Sequence, residues 1–374
     1  MPVGASVNDP TLFEHTSRQL RNLCAEAGFP ASDDTPVEML GELLGTAGNR
    51  RLSEGPLWPS DVADDATPVE FSVALDDTGD RAVRVLGEVV AEKPSMSANV
   101  VAARRFLESM SERLGIPTER FEAVEDLFLP DDPQGKFAFW YSMIFRPDAA
   151  PKLKVYFNPG VRGEGRAAEL VAEGFRRLGM EDAYDAATEY SVSRGELDKF
   201  TFFAVDLDDS PLSRVKLYIS HFSATADVAV QASQAVDGLD RDGISEFCGL
   251  LGGSTESFDG RPLVSSYSFV EADPKRPGNY SLYLPIRDYV ADDVEARSRV
   301  VSFLENRGSD AAGLDRSIRA LTDRPLSDGR GLLAHVSLRL GQFGTGTTIY
   351  LSSEGYEVLS ARSDARTAAT STHS

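Results

Sequence analysis

Residues 213–220 read Ser-Arg-Val-Lys-Leu-Tyr-Ile-Ser, a strict alternation of polar and apolar side chains. Successive side chains of a β-strand leave the backbone on opposite sides. As a strand, this stretch puts Arg214, Lys216 and Tyr218 on one face and Val215, Leu217 and Ile219 on the other. A period of two does not suit a helix. Taken alone it is an ordinary surface strand with its charges in water. It carries more weight because the pattern returns around Arg84, at 153–157, at 281–284 and at 348–351.

These alternating runs pair into hairpins across turns rich in Asp, Pro and Gly. The pairs are 69–75 with 81–89, 137–145 with 153–158, 200–207 with 214–220, 263–271 with 280–284, and 333–340 with 347–352. Helical periodicity and capping residues predict helices at 11–29, 36–45, 97–114, 165–178, 224–235, 243–251, 292–306 and 311–321. The turn centres recur roughly every 60–70 residues, which is the mark of an internal repeat. Ten antiparallel strands are too many for a flat sheet, and closure removes the exposed edges. Hairpins between helices do not build βαβ crossovers, which need single parallel strands. The expectation is therefore an α+β fold: one antiparallel barrel of ten strands wrapped in helices. It would form a single domain over 11–359, with disordered ends at 1–10 and 360–374.

Helices covering the barrel require the apolar strand faces to point outward, leaving the polar faces for the interior. That interior collects Arg84, Lys154, Tyr156, Arg214, Lys216, Tyr218, Ser281, Tyr283, His335, Ser337, Arg339, Thr348 and Tyr350, with Glu70 as its one expected carboxylate. The whole chain carries a formal charge of −21, with 59 acidic residues against 38 basic ones. Such a surface argues against nucleic acid or an anionic membrane as partner, and it makes an inward cluster of cations more telling. No apolar run approaches membrane-spanning length. Cys24 and Cys248 make no disulfide framework or metal motif, and no leader pattern opens the chain, so the expected location is cytoplasmic.

Several cations turned inside a protein are unfavourable unless a multiply charged anion meets them. A diphosphate fits, because Arg forks and Lys point charges are the usual partners of phosphoryl oxygens. Interleaved tyrosines offer hydroxyls to the same anion, and their ring faces stabilise a carbocation. A leaving diphosphate above an aromatic cage is what prenyl transfer by ionisation needs.

Pro-Val-Glu-Phe-Ser at 68–72, Lys-x-Tyr at 154–156, Arg-x-Lys-x-Tyr at 214–218 and Tyr-Ser-Leu-Tyr-Leu-Pro at 280–285 together resemble the dimethylallyltryptophan synthase family. The resemblance spans nearly the whole chain, and the acidic, Ala- and Arg-rich character is similar to bacterial members, including those that prenylate tryptophan at C6. It implies the αββα, or ABBA, prenyltransferase barrel. It also implies transfer of dimethylallyl from its diphosphate to the indole of L-tryptophan, with no metal and no cofactor. On that resemblance Glu70 corresponds to the carboxylate that accepts the indole N–H. Arg84, Lys154, Arg214 and Lys216 correspond to the diphosphate clamp, with Arg81 on the same hairpin as the alternative to Arg84. Tyr156, Tyr218, Tyr283 and Tyr350 correspond to the shield around the cation.

Two positions depart from the family pattern. Ser281 stands where fungal members often carry Gln, and the run 137–145 lacks the lysine that some members use to deprotonate the ring adduct. The proton acceptor is thus left open among Glu70, the released diphosphate and water.

Competing signals are weaker. Asp76-Asp77-Thr78-Gly79-Asp80 matches the string that holds Mg²⁺-diphosphate in helical prenyl-diphosphate synthases, but there the carboxylates share one helix face. Here they form a turn between strands. Gly160, Gly163 and Gly165 lack the spacing of a nucleotide loop and read as a turn. His15, His221 and His373 have no companions at motif spacing, and His335 reads as a hydrogen-bonded structural residue. Two other readings compete: a non-catalytic barrel that binds an anionic small molecule, and a metal-dependent isoprenoid synthase using the Asp string.

Overall fold

A computed structural model describes residues 9–75, 81–342 and 344–362. Its strands are β1 (Val69–Ala74), β2 (Val83–Gly87), β3 (Phe139–Phe145), β4 (Lys152–Phe157), β5 (Asp198–Leu207), β6 (Arg214–His221), β7 (Leu263–Val270), β8 (Asn279–Leu284), β9 (Leu333–Gly341) and β10 (Gly346–Ser352). Each pairs antiparallel with its neighbours in sequence, and β10 pairs with β1, so the ten close into a barrel. The closing register sets Phe71 opposite Leu351 on one side and Val85 on the other.

Helices lie outside the barrel: α1 (Leu12–Glu26), α2 (Thr35–Leu44), α3 (Met96–Leu114), α4 (Glu119–Glu122), α5 (Glu125–Phe128), α6 (Ala167–Arg177), α7 (Ala183–Thr188), α8 (Ala226–Ala232), α9 (Arg241–Gly252), α10 (Asp293–Asn306) and α11 (Ala311–Leu321). Their starts follow local chemistry. Thr11 caps α1 by accepting from the Glu14 amide while Glu14 accepts from the Thr11 amide, and Ser95, Asp240, Asp292 and Asp310 cap α3, α9, α10 and α11. Helix α3 stops at Gly115, whose φ of 66° is left-handed backbone.

The core fills the layer between barrel and helices. Phe71, Val155, Phe157, Phe203, Leu217, Phe269, Leu282, Val336 and Leu351 project outward onto Leu20, Leu40, Phe106, Phe175, Phe247 and Phe303. Three outward tyrosines are fully buried and tie strands to helix carbonyls. Tyr141 donates to Ala103 O at 2.9 Å, Tyr267 to Ala232 O at 2.9 Å and Tyr280 to Ala229 O at 3.1 Å. A buried hydroxyl without such a partner would be unfavourable.

All ten strands expected from the alternation form, with ends shifted by a residue or two. Helices α4, α5 and α7 were not expected, being too short for an apolar period to show. The turn 76–80 lies outside the described residues, as do 1–8 and 363–374. Toward the C-terminus the chain remains docked through Arg362, whose amide donates to Ala291 O at 2.9 Å.

Candidate active site

The interior is ordered in tiers because the even-numbered strands all enter from the same end of the barrel. Along each, a polar or charged residue comes first and a tyrosine lies two residues deeper: Lys154 then Tyr156, Lys216 then Tyr218, Ser281 then Tyr283, Thr348 then Tyr350. On β2 the same step runs from Arg84 to Leu86. Cross-strand pairs of the same face complete each tier, with Lys216 opposite Ser268 and Ala204, and Tyr218 opposite Ser266 and Phe202.

The upper tier lines a cavity of about 440 Å³ that includes Arg84, Lys154, Arg214, Lys216 and Arg339, all four tyrosines, Ser281 and Asp206. Asp206 corrects the expectation of a single interior carboxylate. It faces inward from β5, with Oδ1 3.1 Å from Lys154 Nζ and Oδ2 accepting from Arg214 Nε at 2.7 Å. Burial, with Arg214 as the next cause, lowers the Lys154 ammonium to about 8, although Asp206 opposes the shift. Lys216 lies 5.0 Å from the centre of the Tyr218 ring and 6.0 Å from that of Tyr283. Burial and the neighbouring Lys154 and Arg214 depress its ammonium strongly. An anion of high charge placed here would oppose both shifts.

The four tyrosines form a belt. Ring centres are 5.7 Å apart from Tyr156 to Tyr218, 5.7 Å from Tyr218 to Tyr283 and 5.6 Å from Tyr283 to Tyr350. Burial raises all four phenols, so at neutral pH they remain hydrogen-bond donors. Their faces and those of Phe202 and Trp140 enclose apolar space lined with π-electron density. Trp140 and Phe202 stand 5.4 Å apart, and Phe137 stacks on Trp140 at 4.1 Å. Val62 packs on this cluster from the segment ahead of β1.

Beyond the belt lies Glu70, almost fully buried, lining a separate small cavity with Asp64, Arg287, Ala334 and Ser352. Burial raises its carboxyl to about 8; Arg287 pulls the other way and Asp64 reinforces the rise. Arg287 forks onto Asp64 at 2.7 and 3.2 Å and donates to Ala334 O at 2.8 Å. Arg287 Nη1 is also 3.0 Å from His335 Nδ1. A guanidinium only donates, so Nδ1 accepts and the His335 ring is neutral, in line with burial pushing its ionisation far down. His335 Nδ1 lies 4.0 Å from Glu70 Oε2.

Eight of the nine residues singled out from sequence thus meet around one cavity, and Glu70 sits at the opposite end of the same interior. Arg81 is exposed beside Gly28, outside the barrel, so Arg84 is the inward residue of that hairpin. His221 does have companions: Asp198 at 2.8 Å and Ser265 at 2.9 Å, in the layer between barrel and helices. Sequence reading missed Asp206, Trp140, Phe202, Arg287 and Asp64. Pairing with Tyr156, Tyr218 and Lys154 across the ladders puts Trp140, Phe202 and Asp206 on the inner face. Arg287 and Asp64 lie outside the strands, where no period exists to read. Among the described residues, no three or more His, Cys, Asp or Glu side chains gather as a metal ion would need, and no helix is long and apolar enough to cross a membrane.

The profile of the tryptophan dimethylallyltransferase family matches residues 14–316. Solved structures agree over nearly the whole chain. One is 6-dimethylallyltryptophan synthase from Micromonospora olivasterospora in complex with DMASPP and Trp. It is 48% identical with a TM-score of 0.89, over 94% of this chain and 99% of that one. Another is the prenyltransferase PriB in a ternary complex with L-tryptophan and dimethylallyl thiolodiphosphate. It is 37% identical with a TM-score of 0.87, over 94% of this chain and 99% of that one. AnaPT from Neosartorya fischeri, 17% identical with a TM-score of 0.73 over 96% of each chain, shares the fold. With its helix-wrapped barrel of ten strands, this chain belongs to the tryptophan dimethylallyltransferase family.

Proposed function

We propose that this protein moves a dimethylallyl group from dimethylallyl diphosphate to C6 of the indole ring of L-tryptophan, by ionisation and electrophilic aromatic substitution without a metal ion. The observation that carries the reading is the tiered interior: cations at the mouth, a tyrosine belt beneath them, and a buried carboxylate at the far end. The names of the 48% identical structures, both 6-dimethylallyltryptophan synthases, support C6.

In this reading Arg84, Lys154, Arg214 and Lys216 hold the diphosphate. The allylic C–O bond breaks with its electron pair going to the diphosphate, and the clamp stabilises that growing charge. Arg339, opposite Ser281 across β8 and β9, supplies a cation where a short side chain leaves room. Tyr156, Tyr218, Tyr283 and Tyr350 donate to diphosphate oxygens and turn ring faces to the cation, excluding water. Glu70, when ionised, accepts the indole N–H, orienting the ring and raising its nucleophilicity. Ring π-electrons form the new C–C bond at C6. The C6 proton then leaves to Glu70, to the released diphosphate or to water, and aromaticity returns. The free, buried thiols of Cys24 and Cys248 support a cytoplasmic setting.

The test is incubation with dimethylallyl diphosphate and L-tryptophan in excess chelator. The expected product is heavier than tryptophan by one C5H8 unit, with the new bond at C6 by NMR. Product only when Mg²⁺ is supplied would favour a metal-dependent synthase. No product under any metal condition would favour a barrel that merely binds an anion.

A further inference from the structure

A carboxylate in the middle of an anion clamp calls for an explanation, because it competes for the same cations and repels the ligand. Asp206 is built in. Its backbone is fixed by the ladder with β4, where it stands opposite Lys154, and its Oδ2 also accepts from the Arg214 amide at 3.2 Å. Oδ2 takes both Arg214 contacts and Oδ1 pairs with Lys154, so the carboxylate is tied to the cations it faces. Lys154 and Arg214 hold it well below the ordinary carboxylate range, against its burial, so it remains an anion at any working pH. It also occupies only part of what its partners offer. An ammonium has three donors and a guanidinium five, so both cations keep donors for a second anion beside Asp206.

We propose that the fixed negative charge of Asp206, seated among the cations, weakens binding of the released diphosphate enough for turnover. The proposal rests on reading the cation cluster as a diphosphate clamp. The asymmetry comes from the chemistry. When the allylic C–O bond breaks, the diphosphate keeps the bonding pair and gains one negative charge relative to the ester. A fixed anion nearby therefore disfavours the product more than the substrate. Asp206 counters tight product binding where the clamp alone would promote it.

The test measures affinity for inorganic diphosphate in the ligand-free wild type and in Asp206→Asn, Asp206→Ser and Asp206→Glu, each first checked for a native circular dichroism spectrum and melt. Asp206→Asn is isosteric, and Asp206→Ser provides a second neutral side chain should the first misfold. The expected result is roughly tenfold tighter diphosphate binding in the neutral variants, with Asp206→Glu within about threefold of wild type. In turnover the neutral variants should show a lower inhibition constant for diphosphate and a lower steady-state kcat, while the single-turnover rate, which ends before diphosphate leaves, should not fall. A purely structural role predicts the opposite sign, since a disordered clamp binds diphosphate more weakly. Equal or weaker binding in the neutral variants would therefore overturn the proposal. Failure of the wild type to bind diphosphate at all would overturn the clamp itself.

Discussion

At the scale of single residues, the role proposed for Glu70 makes its ionisation state the one that would most directly set the chemistry. It would accept an indole N–H most strongly as a carboxylate, and burial raises its carboxyl to about 8 from an ordinary 4.5. Activity limited by this group should rise with pH up to about 8, where an ordinary carboxylate would have levelled off more than ~3 units lower. The kcat/KM for tryptophan, followed against pH, should show that rising limb in wild type and lose it in Glu70→Gln. The same variant should lower kcat on tryptophan about a hundredfold and leave diphosphate affinity unchanged in equilibrium titration. Loss of diphosphate binding would contradict the assigned role. The shift also has a stability counterpart. Between 4.5 and about 8 the folded chain keeps a proton that the unfolded chain releases, so stability falls as pH rises across that window. Glu70→Gln removes this penalty and should melt higher than wild type above the window, with no gain below it.

At the scale of elements, the barrel's inner and outer faces do separate work, and strand parity decides which residue does which. Lys216 on β6 points inward and is buried close to two tyrosine rings. Removing it in Lys216→Ala should weaken diphosphate binding at least tenfold in equilibrium titration and leave the melting temperature little changed or raised. Tyr280 and Tyr283 lie three residues apart on β8 but face opposite ways. Tyr280→Phe deletes the bond to Ala229 and should cost about 1–2 kcal/mol in denaturant unfolding with activity retained. Tyr283→Phe should do the reverse. The alternation of apolar and polar residues makes this sorting legible in the sequence itself: Arg214, Lys216, Tyr218 and their counterparts all face inward as their period demands. Asp206 is harder to find because its strand, Asp198–Leu207, carries Phe on both faces and shows no clean alternation. Arg287 and Asp64 are hidden for a different reason. They come from a short helical turn and a loop, more than two hundred residues apart, and only the closed barrel brings them together.

For the whole molecule, closure leaves no strand edge unpaired, so no part of the sheet can open without breaking a ladder on each side. We propose that residues 11–359 unfold as one unit. Trp58 and Trp140, near the Glu70 end, report locally, while far-ultraviolet circular dichroism reports on all helices and strands. The two denaturant transitions should coincide, and separated midpoints would show that part of the wrapping opens by itself. The architecture is legible in the sequence because five hairpins at a steady interval leave few other ways to bury ten amphipathic strands. How the ends are dressed is not legible, since Val62, Asp64 and Arg287 arrive from segments without any repeat.

The tiered interior also sets a traffic rule. With Val62, Asp64 and Arg287 over the Glu70 end, the proposed roles would have an amino acid enter past Arg214 and Arg339 and descend through the tyrosine belt before a diphosphate settles in the throat above it. On that reading the prenyl donor would be the cork of its own bottle: last in, and in its spent form first out, or the alkylated amino acid would stay trapped beneath.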